Sequence, residues 1–169
     1  EPDREYEPLL GIGPVIGYVG KMTDQDLKDH PDYKPFYEIG KEGLEKTYEQ
    51  YLKGDPGILE VEVDSRGRQQ RQLTSTSPLP GNNLYLSINS ELETKLSEVL
   101  NQGIINAGSQ AGAAIALNPQ NGQVLAISSI PSFDNNLFAR STYNEEYQKL
   151  VKDPLKPMFN RAIAGTYPS

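Results

Sequence analysis

Cysteine is absent from this 169-residue chain, which excludes disulfides, thiolate catalysis and thiolate-bound zinc. Histidine occurs once, as His30. A zinc site built from several histidines is therefore impossible, and a Ser-His-Asp triad would have to use that single residue. His30 precedes Pro31 in a polar stretch with no nucleophile nearby, and it reads as a solvent-exposed loop residue. No apolar run approaches the ~18 residues that cross a bilayer. Clustered cations are lacking too. The 16 basic residues are dispersed among 23 acidic ones for a net charge of −7, which argues against a nucleic-acid partner. Lys41, Lys46 and Lys53 alternate with Glu42, Glu45 and Glu49, the pattern of a solvated helix face.

What the chain does carry is an ordered series of strand and helix signals. Val15 to Val19 favour a strand within the glycine-rich stretch from Gly11 to Gly20. Thr23 is a candidate N-cap for a short helix over Asp24 to Lys28. Leu44, Tyr48, Tyr51 and Leu52 mark the core face of a helix from Gly40 to Lys53, closed by Gly54 and Pro56. Ile58 to Val63 and Arg68 to Thr74 read as a hairpin turning at Asp64-Ser65-Arg66-Gly67. The Pro/Ser/Thr-rich residues 75–80 form the expected linker.

Beyond it, Leu84 to Ile88 read as a strand. Ser90 and Glu93 have capping-box spacing for a helix with core face Leu92, Leu96, Val99 and Leu100. Ala111 to Leu117 and Val124 to Ile130 predict a hairpin around Asn121-Gly122, covered on both sides because both runs are apolar on both faces. Asn144 to Val151 predict a short helix. The fold class expected is α+β: an irregular strand/helix module over residues 1–80, then a helix-plus-antiparallel-hairpin piece over 81–169.

Few residues propose chemistry. Gly11, Gly13 and Gly17 superficially suggest a phosphate loop, but Pro14 removes an amide and a strand rather than a helix is expected after it. Asp24 with Asp26, or Asp134 with Asn135 and Asn136, lack the glycine and distal glutamate of a helix-loop-helix calcium site. The second cluster reads better as a turn. Spacing and chemistry alone name no active site, metal or cofactor.

Resemblance says more. AGAAIALNPQNGQVLAISSIPSFDNNLF at 111–138 resembles the first hairpin of the transpeptidase domain of penicillin-binding proteins. Pro131, Ser132, Phe133 and Asp134 match that family's Pro-Ser-aromatic-Asp segment. FNRAIAGTYPS at 159–169 resembles the approach to its Tyr-Pro-Pro-Gly-Ser-x-x-Lys stretch. IGYVG at 16–20, residues 39–57 and VDSRGR at 63–68 look like the non-catalytic N-terminal module of class B members. LYLSINSELE at 84–93 looks like the entry to the catalytic domain. Residues 136–150 are similar to the elongation subgroup, penicillin-binding protein 2, with division-type members the near alternative. Asn89, Glu93, Asn135 and Gly13-Pro14 depart from the usual pattern at positions without catalytic roles.

The resemblance implies a membrane-anchored serine D,D-transpeptidase working at the extracytoplasmic face of the bacterial cytoplasmic membrane. Such a protein needs Ser-x-x-Lys, Ser-x-Asn and Lys-Thr/Ser-Gly. No serine here has a lysine three residues on, and neither Lys-Thr-Gly nor Lys-Ser-Gly occurs. Ser87-Ile88-Asn89 spells Ser-x-Asn but lies upstream of the expected nucleophile and reads as a helix entry. The nucleophile is expected two residues beyond Ser169, so this chain by itself should be inert toward penicillin.

The implied partners are peptidoglycan stem peptides and β-lactams through the catalytic part, and a membrane glycosyltransferase or scaffold proteins through the N-terminal module, with no nucleic acid and no cofactor. The competing class is a stand-alone interaction module of the cell-wall machinery. A small-molecule-binding domain, supported only by the glycine-rich segment, ranks last.

Overall fold

The computed structural model describes residues 4–34, 37–138 and 144–166. The chain opens with a single helical turn, α1 (Gly13–Ile16), where a strand is expected. The rigid φ of Pro14 suits a first helical turn, and Gly17, at φ 79°, closes it. Only β1 (Val19–Lys21) is extended. Next, α2 (Asp24–Asp29) is capped as expected by Thr23, reciprocally with Asp26. β2 (Glu38–Gly40) pairs antiparallel with β1, Gly20 opposite Ile39.

The continuous helix expected from Gly40 to Lys53 is instead two short ones, α3 (Gly43–Thr47) and α4 (Glu49–Leu52), broken at Tyr48. Gly40 belongs to β2, and Thr47 Oγ1 donates back to the Gly43 carbonyl (2.9 Å), a bond that weakens helical continuation. The expected faces are also turned. Tyr51 is exposed, whereas Glu45 and Glu49 are buried.

β3 (Ile58–Val63) and β4 (Gln69–Thr76) form the expected hairpin, with two register irregularities. Asp64 shapes its turn by accepting from the Arg66 and Arg68 amides and from the Arg68 guanidinium. These bonds hold its carboxyl below the ordinary aspartate range. The apolar residues Leu59, Val63 and Leu73 of this ribbon are all more than half exposed.

In place of a strand at 84–88, the chain is tied to the later hairpin by single bonds. Ser87 Oγ donates to Val124 O, and Asn89 N to Leu125 O. The long helix α5 (Ser90–Asn106) is capped by the Asn89 side chain rather than by Ser90. β5 (Gly112–Leu117) and β6 (Val124–Ile130) pair antiparallel, Ile115 opposite Ile127, around a turn with Gly122 at φ 76°. β6 is buried as expected, but Ile115 and Leu117 of β5 are substantially exposed, so the cover expected on both sides is seen only for β6. A 3-10 turn at Asn135–Leu137, α6 (Asn144–Lys152) and α7 (Arg161–Ala164) follow. Among the described residues, mixed helices and three small antiparallel pairs make the fold α+β, as expected.

Two compact units emerge, and they interleave along the chain. One gathers residues up to Thr47 with those from Leu86 onward; the other is Tyr48–Tyr85. Within the first unit, Tyr18 stacks on Phe138 at 3.7 Å between ring centroids, and Phe133 meets Phe138 edge-on at 5.4 Å. Leu137, Tyr147, Leu150 and Met158 surround these rings. Burying the Phe138 side chain alone contributes about 2–3 kcal/mol.

Candidate functional site

The residues singled out in the sequence do not converge. His30 ends α2 and its ring lies 4.9 Å from that of Tyr33. Asp26 is occupied by an ion pair with Lys41 and by Thr23, which together hold its carboxyl well below the usual aspartate range. Asp24 lies in the first turn of α2. Asp134 caps the 3-10 turn through Asn136 N. Among the described residues no group of acidic or histidine side chains could hold a metal ion. Ser87 and Asn89 have the structural roles already given. Ser169 lies outside the described residues.

What the first unit does assemble is a buried polar seam. Among the described residues the outer edge of β6 receives no further strand; it is satisfied piecemeal. Ile127 N donates to Glu93 Oε2 (2.7 Å), Ser129 N to Gly11 O (2.9 Å) and Asn89 N to Leu125 O (2.9 Å). Glu93 is fully buried, and burial pushes its carboxyl above the ordinary glutamate range. Ser97, one turn along α5 and also fully buried, lies within hydrogen-bond distance of Glu93 Oε1 (3.1 Å), Ser128 Oγ (2.8 Å) and Leu10 O (2.5 Å). The Ser97 hydroxyl proton reaches only one of these at a time, and the Ser128 hydroxyl carries a second proton that can serve the contact between the two serines.

The glycines find their explanation here. A Cβ on Gly11 would collide with Ser128 Oγ, and one on Gly13 would crowd Phe133 O and Ser132 Oγ. They permit close packing of residues 9–17 against the hairpin and the loop after it, and cradle no phosphate. Asn135, buried, donates to the carbonyls of Gly13 and Gly17. Asn136 makes a two-bond clasp with the Tyr6 backbone, accepting from its N and donating to its O, both at 2.8 Å. Tyr6 OH meets Glu45 (3.2 Å), which also pairs with Arg4. Burial and the neighbouring Glu45 charge raise the Tyr6 phenol.

A second polar centre lies before α7. Arg161 is 9% exposed, and its guanidinium donates to the carbonyls of Leu155, Lys156 and Phe159. Its backbone N donates to Ser129 Oγ (3.1 Å), which in turn donates to Phe159 O (3.2 Å). Neither centre is legible in the local sequence pattern. Glu93 reads as a capping residue, and Arg161 has no acidic neighbour at ion-pair spacing.

Residues 1–86 match the family model of the penicillin-binding protein dimerisation domain, and residues 112–169 that of the penicillin-binding protein transpeptidase domain. The chain belongs to the penicillin-binding proteins. Similar curated proteins include the peptidoglycan D,D-transpeptidase MrdA of Escherichia coli K12, 39% identical over 98% of this chain and 26% of the relative. The MrdA of Acinetobacter baumannii is 40% identical over 91% of this chain and 22% of its own length. Among solved structures, Pseudomonas aeruginosa PBP2 in complex with WCK 5153 superposes with a TM-score of 0.70 at 31% identity, covering 98% of this chain and 32% of that one. The Helicobacter pylori complex between PBP2 and MreC gives 0.66 at 28%, covering 94% and 28%. The chain thus spans about a quarter of the length of the curated penicillin-binding relatives it matches. No helix among the described residues is long and apolar enough to cross a membrane.

Proposed function

We propose that this chain is the non-catalytic N-terminal module and the opening of the catalytic domain of an elongation-type peptidoglycan D,D-transpeptidase. The observation that carries the reading is the ordered match of both family models, with MrdA proteins similar across nearly the whole chain. The module boundary lies near residue 80. In a whole protein of the relatives' length the nucleophilic serine follows Tyr167-Pro168-Ser169 by two residues.

That serine's Oγ bonds to the carbonyl carbon of the penultimate D-Ala of a stem peptide. The amide to the terminal D-Ala breaks, and D-Ala leaves with the serine's proton. The amine of a neighbouring stem then attacks the acyl carbon, the ester bond to the serine breaks, and the amine's proton returns to the serine oxygen as the cross-link forms. A β-lactam enters the same path, its ring amide opening on the serine. Residues of this chain supply scaffold to that site and no reacting group.

The working place is the extracytoplasmic face of the cytoplasmic membrane. The N-terminal module meets scaffold or glycosyltransferase partners, a reading supported by the Helicobacter relative solved with MreC and by the similar peptidoglycan synthase complex. The direct test supplies the full-length protein with pentapeptide donor and amine acceptor. Penicillin-sensitive release of D-Ala with formation of cross-linked product is expected. Absence of both would favour a stand-alone interaction module.

A further inference from the structure

We propose that Arg161 is a positioning residue for the nucleophile-bearing segment, an inference that rests on the transpeptidase reading above. Three observations converge on it. First, Arg161 is a buried cation with no carboxylate partner among the described residues; its counter-dipoles are three carbonyls. A buried charge held only by backbone carbonyls fixes the geometry of that backbone, because each carbonyl it releases leaves the guanidinium short of a partner.

Second, the three carbonyls belong to the turn at 155–159 immediately before α7, where Lys156 adopts φ 46°, a conformation rare for a side-chain-bearing residue. Third, the Ser129 hydroxyl joins this turn to β6. It accepts from Arg161 N and donates to Phe159 O, and Ser129 is itself fully buried. The turn, the start of α7 and the β5–β6 hairpin are thereby locked to one another. Among the described residues α7 is the helix that leads into Gly165 and Thr166, so its direction sets where the chain leaves it.

The chemistry discriminates between side chains. Planar guanidinium can serve several carbonyls at once from a rigid fork; an ammonium is a point charge with a different reach. Arg161→Lys should therefore keep the charge and lose the positioning.

The test uses the full-length protein and a fluorescent penicillin, measuring the acylation rate constant separately from the final labelled fraction. With wild type labelled, Arg161→Ala is expected to slow acylation by about tenfold or more while the final labelled fraction is kept, since small displacements of a nucleophile have effects of that order. Added guanidinium ion should restore part of the rate to Arg161→Ala and leave wild type unchanged. Arg161→Lys should be slowed as well.

Should Arg161→Ala fail to fold, Arg161→Lys and Ser129→Ala carry the same readout, with slowed acylation at full labelled fraction expected for both. A normal rate in the variants, with only the labelled fraction or thermal midpoint reduced, would overturn the proposal and leave Arg161 purely structural. An unlabelled wild type would overturn the transpeptidase reading and this inference with it.

Discussion

Glu93 shows how a single residue can be legible in kind and opaque in role. Its spacing from Ser90 reads as a capping box, yet Asn89 takes the cap and Glu93 faces inward to the amide of Ile127. Replacement by Ala would leave that amide unpaired in a buried site, at a cost of about 2–4 kcal/mol measurable by urea denaturation. The pH dependence follows from burial. A carboxyl whose folded pKa is raised binds its proton more tightly in the native state, so its stabilising share is present at low pH. That share is lost as pH rises from the ordinary glutamate value through the raised one. Glu93→Gln should flatten stability across that weakly acidic window, and an unchanged pH profile would contradict the assignment. Asp26 has the opposite sign. Its lowered carboxyl contributes stability above the ordinary aspartate range that is lost on acidification. Lys41→Met should therefore cost about 1 kcal/mol at neutral pH and progressively less as the medium is acidified, seen in thermal midpoints.

At the scale of elements, the glycine-rich segment is the joint that matters. Gly11 has φ +84° and no room for a Cβ beside Ser128. Gly11→Ala is expected to destabilise the first unit by about 2 kcal/mol or more, combining backbone strain with displacement of the seam. Hydrogen exchange should report it as faster exchange at the Ile127 and Ser129 amides. Local chemistry made several elements readable: the Thr23 cap, the Asp64 turn and the Asn121-Gly122 hairpin all lie where their residues predict. The failures have a common cause. Apolar periodicity predicts the faces of α3, α4 and α5 from their leucines, valine and tyrosines, whereas the buried positions include Glu45, Glu49, Glu93 and Ser97. Those polar side chains turn inward because tertiary partners await them, as the Ile127 amide awaits Glu93 and Tyr6 awaits Glu45. Partners that lie 34 and 39 residues away in the chain leave no trace in a local pattern.

For the whole molecule, family resemblance conveyed what residue chemistry did not. The candidate triad, calcium and phosphate motifs dissolve into caps, turns and close packing, while the ordered matches to the dimerisation and transpeptidase models stand. The described residues bring together no nucleophile, base and oxyanion site, in keeping with the proposal that this chain is scaffold for a serine beyond Ser169. The most direct measurement is to acylate the full-length protein with penicillin, digest it and locate the modified peptide by mass spectrometry. A single acylated serine two residues beyond Ser169 is expected, with no modification of Ser87, Ser97, Ser128 or Ser129. An acylated serine within residues 1–169, or no acylation at all, would contradict it.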